Sequence, residues 1–177
     1  MGYTTDFVGQ FNLNRQLDGD THEFLTRFNE TRRMKRKVDK KYGVEGEFYV
    51  LGDGFSGQKN DPTIVSYNDP PQTQPGLWCQ WKPSKDGMHL IWDGGEKFYH
   101  YTEWIQYIIE KILKPRGYIL NGEVKWQGED PEDSGTIRVV KNQVEVVQSG
   151  EATQLPVSNP LTGGELPPLP KRKILWN

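Results

Sequence analysis

Alternation is the first signal in this chain. Phe7, Gly9, Phe11 and Leu13 recur at every second position, the period of a half-buried strand. Leu77–Lys82 and Met88–Asp93 read as two further strands. The run Pro83-Ser-Lys-Asp-Gly87 between them is a hairpin turn with glycine placed late. Tyr118–Trp126, Thr136–Lys141 and Gln143–Val147 continue the strand pattern, the last two joined around Asn142. Glu47–Leu51 predicts one more short strand.

Two segments carry helical periodicity instead. Trp104, Ile105, Ile108, Ile109, Ile112 and Leu113 form the strongest periodic stripe in the chain. Thr102 is placed to cap that helix, and Pro115 with Gly117 ends it. Earlier, Asp20-Thr-His-Glu23 has the spacing of a capping box. The helix it opens puts Phe24, Leu25 and Phe28 on one side, runs through Met34, and stops at Tyr42-Gly43. The fold class predicted is α+β: a mainly antiparallel sheet with two helices on one face. Residues 1–147 form a single domain in this reading. Residues 148–177, rich in Pro, Gly, Ser and Thr, form a disordered Pro-rich C-terminal tail, because such composition buries too little to offset its ordering entropy.

Composition sharpens the picture. The 177 residues include 6 Trp, 8 Tyr and 7 Phe, so the core rests on large rings. No run approaches the ~18 apolar residues of a membrane helix, so no membrane partner is expected. The opening residues lack a secretory pattern, and the expected localisation is cytoplasmic. The single Cys79 excludes an internal disulfide and a cysteine zinc cage. The net charge of −2 hides an asymmetry: between Arg27 and Lys41 eight basic residues face two acidic ones, a local +6. Read as a helix end, Arg32, Arg33, Lys35, Arg36 and Lys37 spread over a broad face able to grip nucleic-acid phosphates. A solvated charged surface is the plainer reading of the same residues.

The aromatic residues suggest a second surface. Trp78, Trp81, Trp92, Phe98, Tyr99, Tyr101, Trp104 and Trp126 look too numerous for one sheet face. Alternation would send Trp78 and Trp81 to opposite sides. Trp78, Trp81, Trp92, Tyr99 and Trp126 are therefore the candidate ligand-binding residues, an aromatic platform on the open sheet face. The competing reading covers that face with the tail, through Leu175 and Trp176. The long irregular stretch 52–76 is the other candidate contact element.

Catalytic motifs are sparse. His100-Tyr101-Thr102 matches one His-x-Thr element of the two-histidine phosphoesterases, but neither His22 nor His89 supplies the second. Hydrolysis centred on His100 with Asp93, Glu96 or Glu123 is the enzymatic alternative. Glu129, Asp130, Glu132 and Asp133 offer oxygen ligands without an EF-hand spacing, so a solvated acidic turn is preferred and no metal is assigned. Cys79 reads as a buried small hydrophobe. Ser56 lacks the full G-x-S-x-G elbow, and Gly52–Gly57 lacks Walker spacing. Leu166-Pro-Pro-Leu-Pro-Lys-Arg172 matches the proline-rich pattern read by SH3-type grooves. No cofactor is implied.

Five segments add a resemblance. Asn29-Glu-Thr-Arg-Arg-Met34, Tyr42-Gly-Val-Glu-Gly-Glu-Phe-Tyr49, Gln74-Pro-Gly-Leu-Trp-Cys-Gln-Trp81, Trp92-Asp-Gly-Gly-Glu-Lys-Phe-Tyr99 and the run from Gly117 to Asp130 resemble those of an uncharacterised family of bacterial and bacteriophage proteins. The likeness spans about residues 1–147. It implies a cytoplasmic bacterial or phage setting and no particular chemistry. The leading expectation is a non-enzymatic binding protein, with a host-interaction or counter-defence role suggested by the phage setting. Its partner would be a protein or small ligand met by the aromatic face and the 52–76 loop. Nucleic-acid binding through Arg32–Lys41 is the first alternative, and hydrolysis at His100 the second.

Overall fold

The computed structural model describes residues 2–50, 62–149 and the backbone of 157–158. The predicted alternation becomes strand β1 (Thr5–Leu13), with Phe7, Phe11 and Leu13 buried and Val8, Gln10 and Asn12 exposed. β4 (Trp81–Pro83) and β5 (His89–Trp92) form the expected hairpin, closed by the Gly87 amide donating to the Ser84 carbonyl with Gly87 at φ 73°, but β4 starts only at Trp81 and leaves Leu77–Gln80 of the predicted strand irregular. β6 (Leu120–Gly128), β7 (Ser134–Val140) and β8 (Gln143–Gln148) follow as a meander. Lys141 and Asn142 turn the last hairpin with φ of 47° and 69°, the left-handed pair that a two-residue hairpin loop needs. With β9 at Val157–Ser158, the sheet order is β4-β5-β1-β6-β7-β8-β9, every described pairing antiparallel. β9 pairs with Glu145 and Val146, and with residues 148–149 it makes up the described part of the expected tail. The rest of that tail, including Leu166–Arg172, Leu175 and Trp176, lies outside the described residues.

The two helices cover one face, as the pattern predicts. α1 (Gly19–Glu30) buries Phe24, Leu25 and Phe28. α2 (Tyr101–Ile108) buries Trp104, Ile105 and Ile108, then widens into a π-helical turn at Ile109–Leu113 and a 3-10 turn at Lys114–Arg116. One core cluster joins these to the inner face of the sheet, from Phe7 to Val144. No helix among the described residues is long and apolar enough to cross a membrane.

Several expectations are corrected. The N-cap of α1 is Asp18, which accepts from the Thr21 amide at 2.7 Å; Glu23 turns instead to Arg27 at 2.6 Å. α1 stops at Glu30, twelve residues before the predicted Tyr42. Thr31 adopts an extended backbone, its hydroxyl donating to the Arg27 carbonyl. The chain then runs extended, and β2 (Lys35–Arg36) pairs with β3 (Ile64–Ser66). The physical reason lies in side chains that a solvated helix would leave outside: Arg33, Met34 and Arg36 are all buried. The second helix starts after His100, which makes no side-chain cap, so Thr102 is not its cap. The expected strand at Glu47–Leu51 is absent over the described residues 47–50, where turns run from residue 44 to 48.

Candidate functional site

The aromatic platform is not on the open sheet face. Trp81 is 1% exposed and donates from Nε1 to the Tyr101 carbonyl at 2.9 Å. Trp126 is buried and donates to Asp133 Oδ1 at 2.9 Å. Trp92 is half-buried, with its Nε1 on Gln80 Oε1 at 3.1 Å. All three belong to the inner face, gathered around Phe7 together with Phe98 and Tyr101 at centroid distances of 4.9 to 6.1 Å. Fully burying a large ring is worth about 1.5–3 kcal/mol, and edge-to-face contacts add about 0.5–1.5 kcal/mol per pair. A second aromatic layer left in water would forgo both terms. The outer face instead carries Val8, Gln10, Asn12, Glu123, Lys125 and Arg138, with Arg138 paired to Glu123 at 2.8 Å.

Trp78 and Tyr99 escape this burial and lie in irregular segments. They line a groove of about 510 Å³ between two irregular segments, residues 68–80 and 96–100. Asn68, Pro70, Pro75, Gly76 and Leu77 contribute to one wall, and Glu96, Lys97 and His100 to the other. Trp78 is half-buried, and Tyr99 is 48% exposed. Part of the expected 52–76 contact loop is therefore in the site; residues 52–61 lie outside the described residues.

The walls are held by hydrogen bonds to neighbouring segments. Gln80 Nε2 donates to the Glu96 carbonyl at 2.9 Å and so staples one wall to the other. Asn29 donates to the Cys79 carbonyl and to Asp93 Oδ2, both at 2.9 Å. The Arg33 amide donates to the Leu77 carbonyl at 2.7 Å, and its side chain reaches Gln74 Oε1 at 2.8 Å. The Tyr3 amide donates to Tyr99 Oη at 3.0 Å. Lys97 and His100 both sit at φ 59°, a left-handed conformation uncommon outside glycine. Strained residues of this kind persist where surrounding structure over-determines them, and they cluster at functional sites.

No family model, curated protein or solved structure matches this chain.

The other candidate residues fare unevenly. Arg33 is fully buried: it donates to the carbonyls of Tyr49, Gly46 and Glu47 and lies 4.2 Å over the Phe28 ring. Burial pushes its guanidinium down to about 10, still charged at neutral pH. Arg36 is buried over Tyr49 and donates to Thr63. Arg32 is spent on the Tyr67 carbonyl, and Lys35 is half-buried. The helix end imagined for phosphates is thus neither helical nor a free cluster of charge. Of those five cations only Lys37 is classed as exposed.

His100 is exposed on the groove rim, and no hydrogen bond or ion pair among the described residues uses its ring. Of the carboxylates proposed to assist it, Glu96 shares the groove, Asp93 is held by Asn29 and Gly95, and Glu123 is on the outer sheet face with Arg138. No group of metal-ligating side chains forms among the described residues. The acidic turn has a structural use: Asp133 accepts from Tyr3 Oη at 2.7 Å and from Trp126, while Tyr3 Oη accepts from the Asp130 amide. Cys79 is buried, and burial pushes its thiol up, which leaves it unreactive. Gly76 and Gln80 carried no sequence signal for the site, since each acts through a partner distant along the chain.

Proposed function

We propose that this chain is a non-enzymatic binding protein whose working surface is the groove between residues 68–80 and 96–100. The observation that carries this reading is Trp78: a half-buried indole on a groove wall, with no ring contact or hydrogen bond among the described residues. A volume near 510 Å³ falls within the range typical of small-ligand sites, about 300–1,000 Å³. Apolar walls of Pro70, Pro75, Leu77 and Trp78, with a few polar groups at the rim, fit the usual division between affinity and orientation. The bound group is a small ligand or a side chain of a protein partner. The setting is the cytoplasm of a bacterium, chromosomal or phage-borne, as the resemblance of the five segments implies. In the phage case the groove would serve host interaction or counter-defence.

The test compares wild-type protein with Trp78→Ala, purified side by side from bacterial cells and analysed by mass spectrometry after denaturation. A stoichiometric species released by the wild type and lost from the variant, with unchanged thermal stability, is the expected result. No such species, or equal retention by both proteins, would count against the groove.

A further inference from the structure

Behind Gly76, beneath the groove wall, lies an unusual buried donor. Trp104 is 0% exposed, and its Nε1 has no hydrogen-bond partner among the described residues. Buried indole N–H groups normally find an acceptor. The other two buried indoles described above do so, through the Tyr101 carbonyl and Asp133. Folding has therefore left a desolvated donor unsatisfied, at a cost that an incoming acceptor would recover.

Gly76 marks the way to it. Its backbone lies outside the positive-φ region, so conformation does not demand glycine there. A Cβ on Gly76 would stand 3.3 Å from His100 Cδ2, a tight contact, and 3.6 Å from Trp104 Nε1, an ordinary one. The missing side chain leaves a gap between the groove wall, the His100 ring and the indole nitrogen. No hydrogen bond among the described residues holds that ring, so it can turn aside and open the gap to the groove. At the rim, Glu96 and Lys97 offset each other at 3.9 Å, so the entrance favours neither sign of charge.

Given that the groove is a binding site, we infer that its ligand is an uncharged planar aromatic group bearing a carbonyl acceptor, with the ring against Trp78 and the oxygen on the Trp104 indole N–H. The ring supplies apolar contact with Trp78, Leu77 and the two prolines. The carbonyl satisfies the orphan donor. A ligand with the ring alone leaves that donor unpaired and gains only the apolar part.

The experiment titrates full-length protein, 15N-labelled at its indoles, with benzamide and with toluene, following the indole N–H signals. The Trp78→Ala and Trp104→Phe variants assign the two relevant signals. Benzamide is expected to move both, and to bind about five- to tenfold more tightly than toluene, the worth of roughly one net hydrogen bond. Toluene is expected to move the Trp78 signal alone. Gly76→Ala fills the gap with a methyl group and brings benzamide down to the affinity of toluene. It also carries the test if Trp104→Phe does not fold. Equal affinities with a stationary Trp104 signal would overturn this inference and leave the groove reading standing. If neither probe moves the Trp78 signal, the groove reading itself fails.

Discussion

At the scale of single residues, Arg33 shows how a charge can belong to the interior. Its fork geometry lets one side chain donate to three backbone carbonyls and to Gln74, while Phe28 covers its face. Those carbonyls lie within residues 46–49, so one cation organises a segment without regular structure. Arg33→Ala would leave the carbonyls of Gly46, Glu47 and Tyr49 without this donor. The expected loss is about 1–3 kcal/mol for each of those buried acceptors that finds no other donor. Urea unfolding would measure it. Arg33→Lys should recover only part, since an ammonium cannot reproduce the planar fork. A loss under 1 kcal/mol in the alanine variant would mean that the turn is held by something else.

At the scale of elements, the clearest case is the start of α1. Asp18 accepts from the Thr21 amide and hydroxyl and from Tyr118 Oη at 2.9 Å. Desolvation works to raise its carboxyl. The hydrogen bonds from Thr21 and Tyr118 and the charge of Arg116 outweigh it, and the group is held below its ordinary range. Asp18→Ala should cost about 1 kcal/mol, the usual worth of an N-cap, read from thermal unfolding. The sign of the pH effect follows from linkage. A carboxyl with a lowered folded pKa stabilises above its unfolded value near 4, and the gain disappears as pH falls through the folded value. The variant should therefore lose less stability than wild type on acidification below about pH 4. Because Asp18 is exposed, solvent screening keeps that difference small. Identical acid profiles would remove the cap from the pH account. Within the sheet, Gly135 is an element-level requirement of another kind. A Cβ there would come within 2.3 Å of the Trp126 ring, so the buried ring lies over bare backbone.

For the whole molecule, the N-terminal segment links two distant regions. Tyr3 joins the acidic turn after β6 to the groove rim: its hydroxyl bonds Asp133 and the Asp130 amide, and its own amide bonds Tyr99 Oη. The Tyr3 hydroxyl proton is held more tightly than usual. The bond from the Asp130 amide pulls the other way and is exceeded by the bond to Asp133, desolvation and neighbouring negative charge. Tyr3→Phe removes the hydroxyl and leaves the Asp130 amide without an acceptor. Its hydrogen exchange should quicken severalfold while the β1–β6 ladder stays protected. Uniform acceleration across both would mean that Tyr3 supports the whole sheet and not a local clasp. The acidic residues thus serve the fold, and the groove lies where irregular segments meet, away from the regular outer face of the sheet.

Much of the fold was legible in the chain because its causes are local. Alternation in 7–13, 120–126 and 136–147 marks which neighbours share a sheet face. The isoleucine stripe in 104–113 marks a helix whatever it packs against. The turns at Gly87 and Asn142 follow from backbone conformations that their own residues permit. The candidate site was legible only in part: Trp78, Tyr99, Glu96 and His100 were singled out, but on the wrong surface or for another chemistry. Short-range pattern makes the basic run a helix end, solvated or gripping phosphates, whereas the side-chain hydrogen-bond partners of Arg33 lie 13 to 41 residues away and are invisible at that range. The same limit hid which tryptophans are core and which face a groove. Periodicity assigns a ring to a side of its own strand, whereas burial depends on what another segment lays over it. The juxtaposition of Gly76, His100 and Trp104, with its unpaired donor, was decided by tertiary packing alone, because it exists only where two irregular segments cross.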